Sequence, residues 1–199
     1  MTRVTIFDYG AGNLHSLAKA LCTNAVSLAI ETDPLAALET DLLVLPGVGN
    51  FAQAAARLAP AIDAVRDAIR GGLPVLGICL GMQLLFESSA EGPGAGLGVI
   101  AGRVTPVDAR RVPHIGWNSL EDARDPLFLS SPLGRVYFAN GYACRPADDG
   151  AVIAWTTHEH DRFPAAVRAG RTVGVQFHPE KSSGPGVAFV RAWLAEARR

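Results

Sequence analysis

Apolar residues along the first half of the chain fall into two alternating patterns. "RVTIFDYG", residues 3–10, reads as a buried strand, and "NLHSLAKALCTNA", residues 13–25, repeats its leucines and alanines at helical spacing with Asn13 placed to cap the first turn. "VSLAI" then predicts a second strand and a βαβ beginning. "DLLVLPG" is a continuous apolar run closed by Pro-Gly, residues 51–72 read as helix broken at Pro60, and "LPVLGIC" is again apolar on both faces. Strands buried on both faces and separated by helices predict a parallel sheet covered by helices.

The second half is patterned differently. Shorter runs at 97–107, 114–120, 135–142, 151–159, 164–170 and 171–180 are divided by turn residues and predict strands of a mixed or antiparallel part. Residues 186–199 read as a closing amphipathic helix, and the Gly-Pro-rich "AEGPGAGLG" as a surface loop rather than a domain linker. The expected fold is α/β: a single domain over residues 1–199, with an open, mostly parallel central sheet flanked by helices and an additional mixed or antiparallel part. A length of 199 residues suits one such domain.

Composition narrows the functions. The net charge is -1 and Lys and Arg are dispersed apart from Arg110-Arg111 and Arg198-Arg199, so there is no electrostatic footprint for nucleic acid. No segment approaches the roughly 20 apolar residues of a membrane span, and the first apolar run is too short for a signal peptide, so a cytoplasmic location is expected. Cys22, Cys79 and Cys144 are odd in number and widely spaced, which argues against a disulfide framework and against a zinc site.

Cys79 stands between Gly77 and Gly81, where a strand-like run gives way to a helix-like one. This is the form of a nucleophile elbow with Cys in place of Ser: small residues two before and two after the nucleophile let strand and helix approach. A helix start also favours a thiolate and lowers the thiol pKa below its ordinary value. The plainer reading is a buried structural thiol. His178 ends the run "TVGVQF" and is followed by Pro179 and Glu180, so a strand delivers an imidazole to a sheet end with a carboxylate placed to orient it. His158 and His160 read as surface residues of an exposed turn, His15 as a helix surface residue, and His114 stays ambiguous. "LPGVGNF" sets Pro46-Gly47-Val48-Gly49 after another strand, where bare N–H groups, with that of Leu80, suit an oxyanion. An ordinary Pro-Gly turn is the alternative.

"GICLGMQLLFE" and "VGVQFHPEKS" together resemble the class I, or triad-type, glutamine amidotransferases, and with "LPGVG" the resemblance spans most of the chain. It implies that Cys79 attacks the glutamine carboxamide to give a glutamyl thioester and ammonia, that His178 relays protons and that Glu180 orients it. It also implies an oxyanion hole from Gly47, Val48, Gly49 and the Leu80 N–H, with glutamine contacts from Gln83 and from the loop Ala139-Asn140-Gly141-Tyr142. The family pattern in that loop is His-Ser-Tyr; Tyr142 is retained, whereas Asn140 and Gly141 depart and leave backbone contacts to Gly141.

Within the family, "DYGAGN", "PHIGWN" and Lys181 resemble the glutaminase subunits of imidazole glycerol phosphate synthase, a lyase, and the length suits a free-standing subunit. This implies L-glutamine as substrate, no cofactor, and a heterodimer with the HisF cyclase, a (β/α)8 barrel. The cyclase would use the ammonia to make imidazole glycerol phosphate for histidine biosynthesis. Asn13 and Lys181 would lie at the interface, and a peptide plane of the Gly-rich "PGVG" would turn over when the partner activates the site.

Two other readings stay open. Gly10-Ala11-Gly12 with Glu31 suggests a dinucleotide-binding module, but Asp8 and Tyr9 separate the strand from the first glycine and His15 takes the third glycine position. A stand-alone class I glutaminase or γ-glutamyl hydrolase would share the chemistry without the cyclase. A non-catalytic relative is the least consistent with three retained triad positions.

Overall fold

The computed structural model describes residues 1–10, 14–131 and 133–199. Asn13, expected to cap the first helix and to meet a partner, lies outside the described residues, as do Ala11 and Gly12 of the dinucleotide-like motif. In chain order the elements are β1 (Thr2–Phe7), α1 (His15–Leu21), β2 (Val26–Glu31), β3 (Leu42–Leu45), α2 (Phe51–Leu58), α3 (Ile62–Arg70), β4 (Val75–Ile78) and α4 (Leu80–Leu84). There follow β5 (Ser88–Ser89), β6 (Gly102–Pro106), β7 (His114–Ser119), α5 (Pro126–Ser130), β8 (Arg135–Asn140), β9 (Tyr142–Pro146), β10 (Val152–His158), β11 (Asp161–Ala169), β12 (Thr172–Val175) and α6 (Ser183–Ala197).

Seven strands form the central sheet in the order β10-β11-β12-β4-β3-β1-β2. Neighbours from β12 to β2 are parallel, while β10, β11 and β12 pair antiparallel. The predicted antiparallel runs therefore complete the central sheet as well as forming the smaller sheets β5-β6-β9 and β7-β8. Side chains alternate across the large sheet. Val4, Ile6, Val44, Leu76 and Ile78 pack with Leu17, Leu21, Phe189 and Trp193 of α1 and α6. Leu43, Leu45 and Val75 pack with Phe51, Leu58, Val65 and Met82 of α2, α3 and α4. Cover on both faces is the reason these strands read as unbroken apolar runs.

Several boundaries differ from the sequence pattern. β9 was hidden in it: Ala143 and Cys144 are both buried, so the strand shows no alternation. Residues 139–142 are not a loop, because Asn140 ends β8, Tyr142 begins β9 and only Gly141 lies between. The helix after Cys79 has only five residues. His158 is the last residue of β10, and the turn beyond it is Glu159-His160.

The centre of the sheet sets the site. β3, β4 and β12 lie side by side and parallel, so the residues that follow them emerge at one edge. There the β4–α4 turn is packed against β3 with no room for side chains. A Cβ on Gly77 would lie 2.6 Å from the Gly81 carbonyl oxygen, and one on Gly81 only 2.0 Å from that of Leu45. Gly81→Ala is expected to cost about 3 kcal/mol or more, above the usual range for overpacking, because backbone rather than side chain must move. Urea unfolding measures it; a loss within about 0.5 kcal/mol would mean that the turn can open freely.

Candidate active site

Cys79 occupies the turn itself. Its backbone has φ 48° and ψ -101°, a positive-φ conformation unusual for a residue with a side chain, and it is held by the Cys79 N–H donating to the Val175 carbonyl at 2.7 Å. Cys79 is 6 % exposed. Five residues of helix carry little macrodipole, so the immediate partners of the sulfur are side chains. Gln176, fully buried, donates from Nε2 to Cys79 Sγ at 3.4 Å, and its Oε1 accepts from Gln83 Nε2 at 3.3 Å. Gln83 also donates to the Tyr142 carbonyl at 3.3 Å. It is buried rather than a surface residue, since α4 turns this face toward β12 and β9.

His178 is 2 % exposed and is locked from both ends. Its N–H donates to the Tyr137 carbonyl at 2.8 Å, and Nδ1 meets Glu180 Oε1 at 2.8 Å. Ser182 ties the same segment down: its hydroxyl donates to the His178 carbonyl at 2.7 Å and accepts from the Tyr137 N–H at 2.9 Å. Burial alone pushes the imidazole pKa down, but hydrogen bonds and charge from Cys79 and Glu180 outweigh it and hold His178 up at about 9. A proton on the ring is thus stabilised by the Cys79 sulfur on one side and the Glu180 carboxylate on the other.

A cavity of about 150 Å³ opens over these groups. It is lined by Gly47, Val48, Gly49, Cys79, Leu80, Gln83, Glu91, Ala139, Asn140, Gly141, Tyr142, His178 and Lys181, with Glu180 behind His178. The fold thus brings together every described residue expected at the site. Gly47 is pressed close: a Cβ there would lie 2.9 Å from His178 Cε1 and 3.1 Å from Cys79 Cβ. Gly49 has φ 133°, which only glycine adopts readily. Leu80 begins α4, so its N–H has no acceptor within the helix. Asn140 Nδ2 donates to the Tyr142 carbonyl at 3.0 Å, and its buried Oδ1 has no partner among the described residues.

Other histidines lie elsewhere. His114 is buried and stacked on His158 at 4.1 Å, its pKa lowered to about 4 by burial and then by that neighbour; His160 sits near Asp108. The sequence pattern missed four residues. Glu91 comes from the Gly-Pro-rich loop and its Oε2 accepts from the Phe51 N–H at 2.8 Å. Gln176 and Ser182 flank His178 in a motif whose own polar residues already marked the site. Tyr9 donates from its hydroxyl to the Pro46 carbonyl.

The profile of the family "Glutamine amidotransferase class-I" matches residues 5–196, and the chain belongs to this family. It is 42 % identical to the imidazole glycerol phosphate synthase subunit HisH of Pyrococcus furiosus, covering 96 % of this chain and 97 % of that protein. With the HisH of Symbiobacterium thermophilum it shares 44 % identity over 97 % of this chain and 93 % of the other. A crystal structure of a glutamine amidotransferase superposes with a TM-score of 0.75 over 98 % of this chain and 99 % of that one, at 21 % identity, and so speaks for the fold.

Removing the carboxylate tests the electrostatics. Glu180→Gln takes away one of the two groups that hold the imidazole up, so its titration midpoint, followed by NMR of the ring Cε1–H, should fall from about 9 toward 6.5. An unchanged midpoint would show that Glu180 orients the ring without stabilising its charge.

Proposed function

We propose that the chain, as one domain over residues 1–199, is the glutaminase subunit of imidazole glycerol phosphate synthase. It hydrolyses L-glutamine to glutamate and ammonia, works in the cytoplasm as a heterodimer with the HisF cyclase, and supplies that subunit with ammonia for histidine biosynthesis. The observation that carries this reading is Cys79 on a strained turn beside the His178–Glu180 pair, at one end of a sheet and facing a small cavity. Family membership and the HisH relatives support the reaction and the assembly.

The chemistry follows from the groups present. Glutamine enters with its ammonium toward the Glu91 carboxylate and its carboxamide over Cys79. The thiolate adds to the amide carbon, and the resulting oxyanion is received by N–H groups of Gly47, Val48, Gly49 and Leu80. Imidazolium His178 gives its proton to the amide nitrogen, the C–N bond breaks, and ammonia leaves a glutamyl thioester. Neutral His178 then takes a proton from water as the oxygen attacks the thioester. Collapse releases glutamate and restores the thiolate beside a protonated imidazole. Gln176 holds the sulfur by its amide N–H and couples it to Gln83, which keeps an amide oxygen for the substrate. Asn140 Oδ1, without a partner among the described residues, is a further acceptor at the cavity wall.

The mouth of the cavity favours a protein partner. Val48, Val112, Ile115 and Trp117 expose large apolar side chains, with Ile115 at 65 %, on strands and loops that adjoin the cavity wall: Ile115 pairs with Ala139 and Trp117 with Tyr137. Lys181 lies at the same mouth. A patch of this kind next to a site that releases ammonia suits a partner that receives it.

Glutamate formation should be measured for wild type and Cys79→Ala, alone and with a HisF cyclase carrying its nucleotide. Cysteine-dependent turnover raised by the cyclase is expected, with Cys79→Ala lower by about 10³-fold or more. High turnover that the cyclase leaves unchanged would point to a stand-alone glutaminase. Glu91→Gln keeps an acceptor for Phe51 N–H but loses the charge, so KM for glutamine should rise about tenfold with little change in kcat. An unaltered KM would place the ammonium elsewhere.

A further inference from the structure

"DYGAGN" is a motif that the triad chemistry leaves without a role, and Tyr9 within it is not on the surface. Its ring is 4 % exposed, packs edge-on against Phe7 at 5.7 Å, and sends its hydroxyl to the Pro46 carbonyl. The Pro46 carbonyl and the Gly47 N–H belong to one planar trans peptide, in which they point in opposite directions. A donor that grips the carbonyl therefore sets the direction of the N–H.

Gly47 is where such control matters. Its α-carbon lies against both Cys79 and His178, so closely that a Cβ would touch the two side chains. Gly47 and Gly49 flank Val48, the second at φ 133°, so the segment has little intrinsic preference for one peptide orientation. The phenol supplies a restraint from outside the segment, anchored in the core under β1 and β3. It stays a donor at working pH, since burial and then the charges of Cys79 and Asp8 push its pKa well above the ordinary value.

We propose that Tyr9 is a positioning residue, one that fixes the Pro46–Gly47 peptide plane so that the Gly47 N–H is aimed at the oxyanion formed over Cys79. This rests on the glutaminase reading above. The restraint acts on a group used in the transition state more than in the ground state, so its loss falls on kcat rather than KM.

Tyr9→Phe keeps the buried ring and removes only the hydroxyl. Its kcat for glutamine should fall about tenfold while KM stays within about twofold. Affinity for glutamate γ-semialdehyde, whose thiohemiacetal with Cys79 places an oxygen where the oxyanion forms, should fall about tenfold while affinity for glutamate is kept. In NMR spectra of the variant the Gly47 amide signal should broaden by exchange between orientations. Wild-type kcat in Tyr9→Phe, or a Gly47 amide signal identical to that of the wild type, overturns the proposal. Absence of any Cys79-dependent turnover in the wild type would remove the functional reading instead, and the amide spectrum would then decide about Tyr9 by itself.

Discussion

At the end of β4 three backbone segments meet at contact distance, and the rest of the site depends on that approach. Gly81 lies so close to the Leu45 carbonyl that a methyl group cannot be inserted, and Gly77 is opposed to Gly81 only slightly less tightly. The turn between them forces Cys79 to φ 48°. A strained conformation of this sort persists only when its surroundings over-determine it. Here the surroundings are the parallel ladders of β3 and β12, which fix β4 on both sides, and two apolar clusters that clamp the sheet between helices.

With the turn fixed, polar groups decide what the sulfur meets. Gln176 leaves β12 two residues before His178, so one strand end delivers both an amide donor to Sγ and an imidazole. Ser182 and Tyr137 hold the imidazole's backbone, and Glu180 holds its ring. Gln176, His178, Glu180 and Ser182 are buried or nearly so, and each has a partner that an apolar replacement would orphan. That cost keeps the arrangement unique. On the other wall the backbone of Gly47 to Gly49 is sparse in side chains, and the Tyr9 hydroxyl donates to the Pro46 carbonyl just before it.

Much of this was legible along the chain. The glycines around Cys79, the strand-ending His178 and the PGVG segment are local signals, because a sharp turn and a close backbone approach demand small residues at fixed spacing. The alternation of strands and helices up to Cys79 is local too, since burial on both faces leaves continuous apolar runs. β9 was not legible: two consecutive buried residues, Ala143 and Cys144, erase the alternation that marks a strand. The length of α4 was not legible either, since residues 80–86, apolar but for Gln83, have the same texture whether they continue as a helix or leave it.

Glu91 and Tyr9 mark the boundary between the two kinds of information. A glutamate in a Gly-Pro-rich loop and a tyrosine after a strand carry no spacing that ties them to Cys79, which lies 12 and 70 positions away. They reach the site because the loop folds back on α2 through the Phe51 N–H and because β1 lies beside β3 in the sheet. The sequence by itself determined the Cys79 turn, the histidine and carboxylate at a strand end and the parallel core, all of which depend on neighbours in the chain. Only the tertiary structure decided that β3, β4 and β12 are adjacent, and hence which carboxylate, amide and phenol surround the sulfur, because strand order is set by how distant faces bury one another.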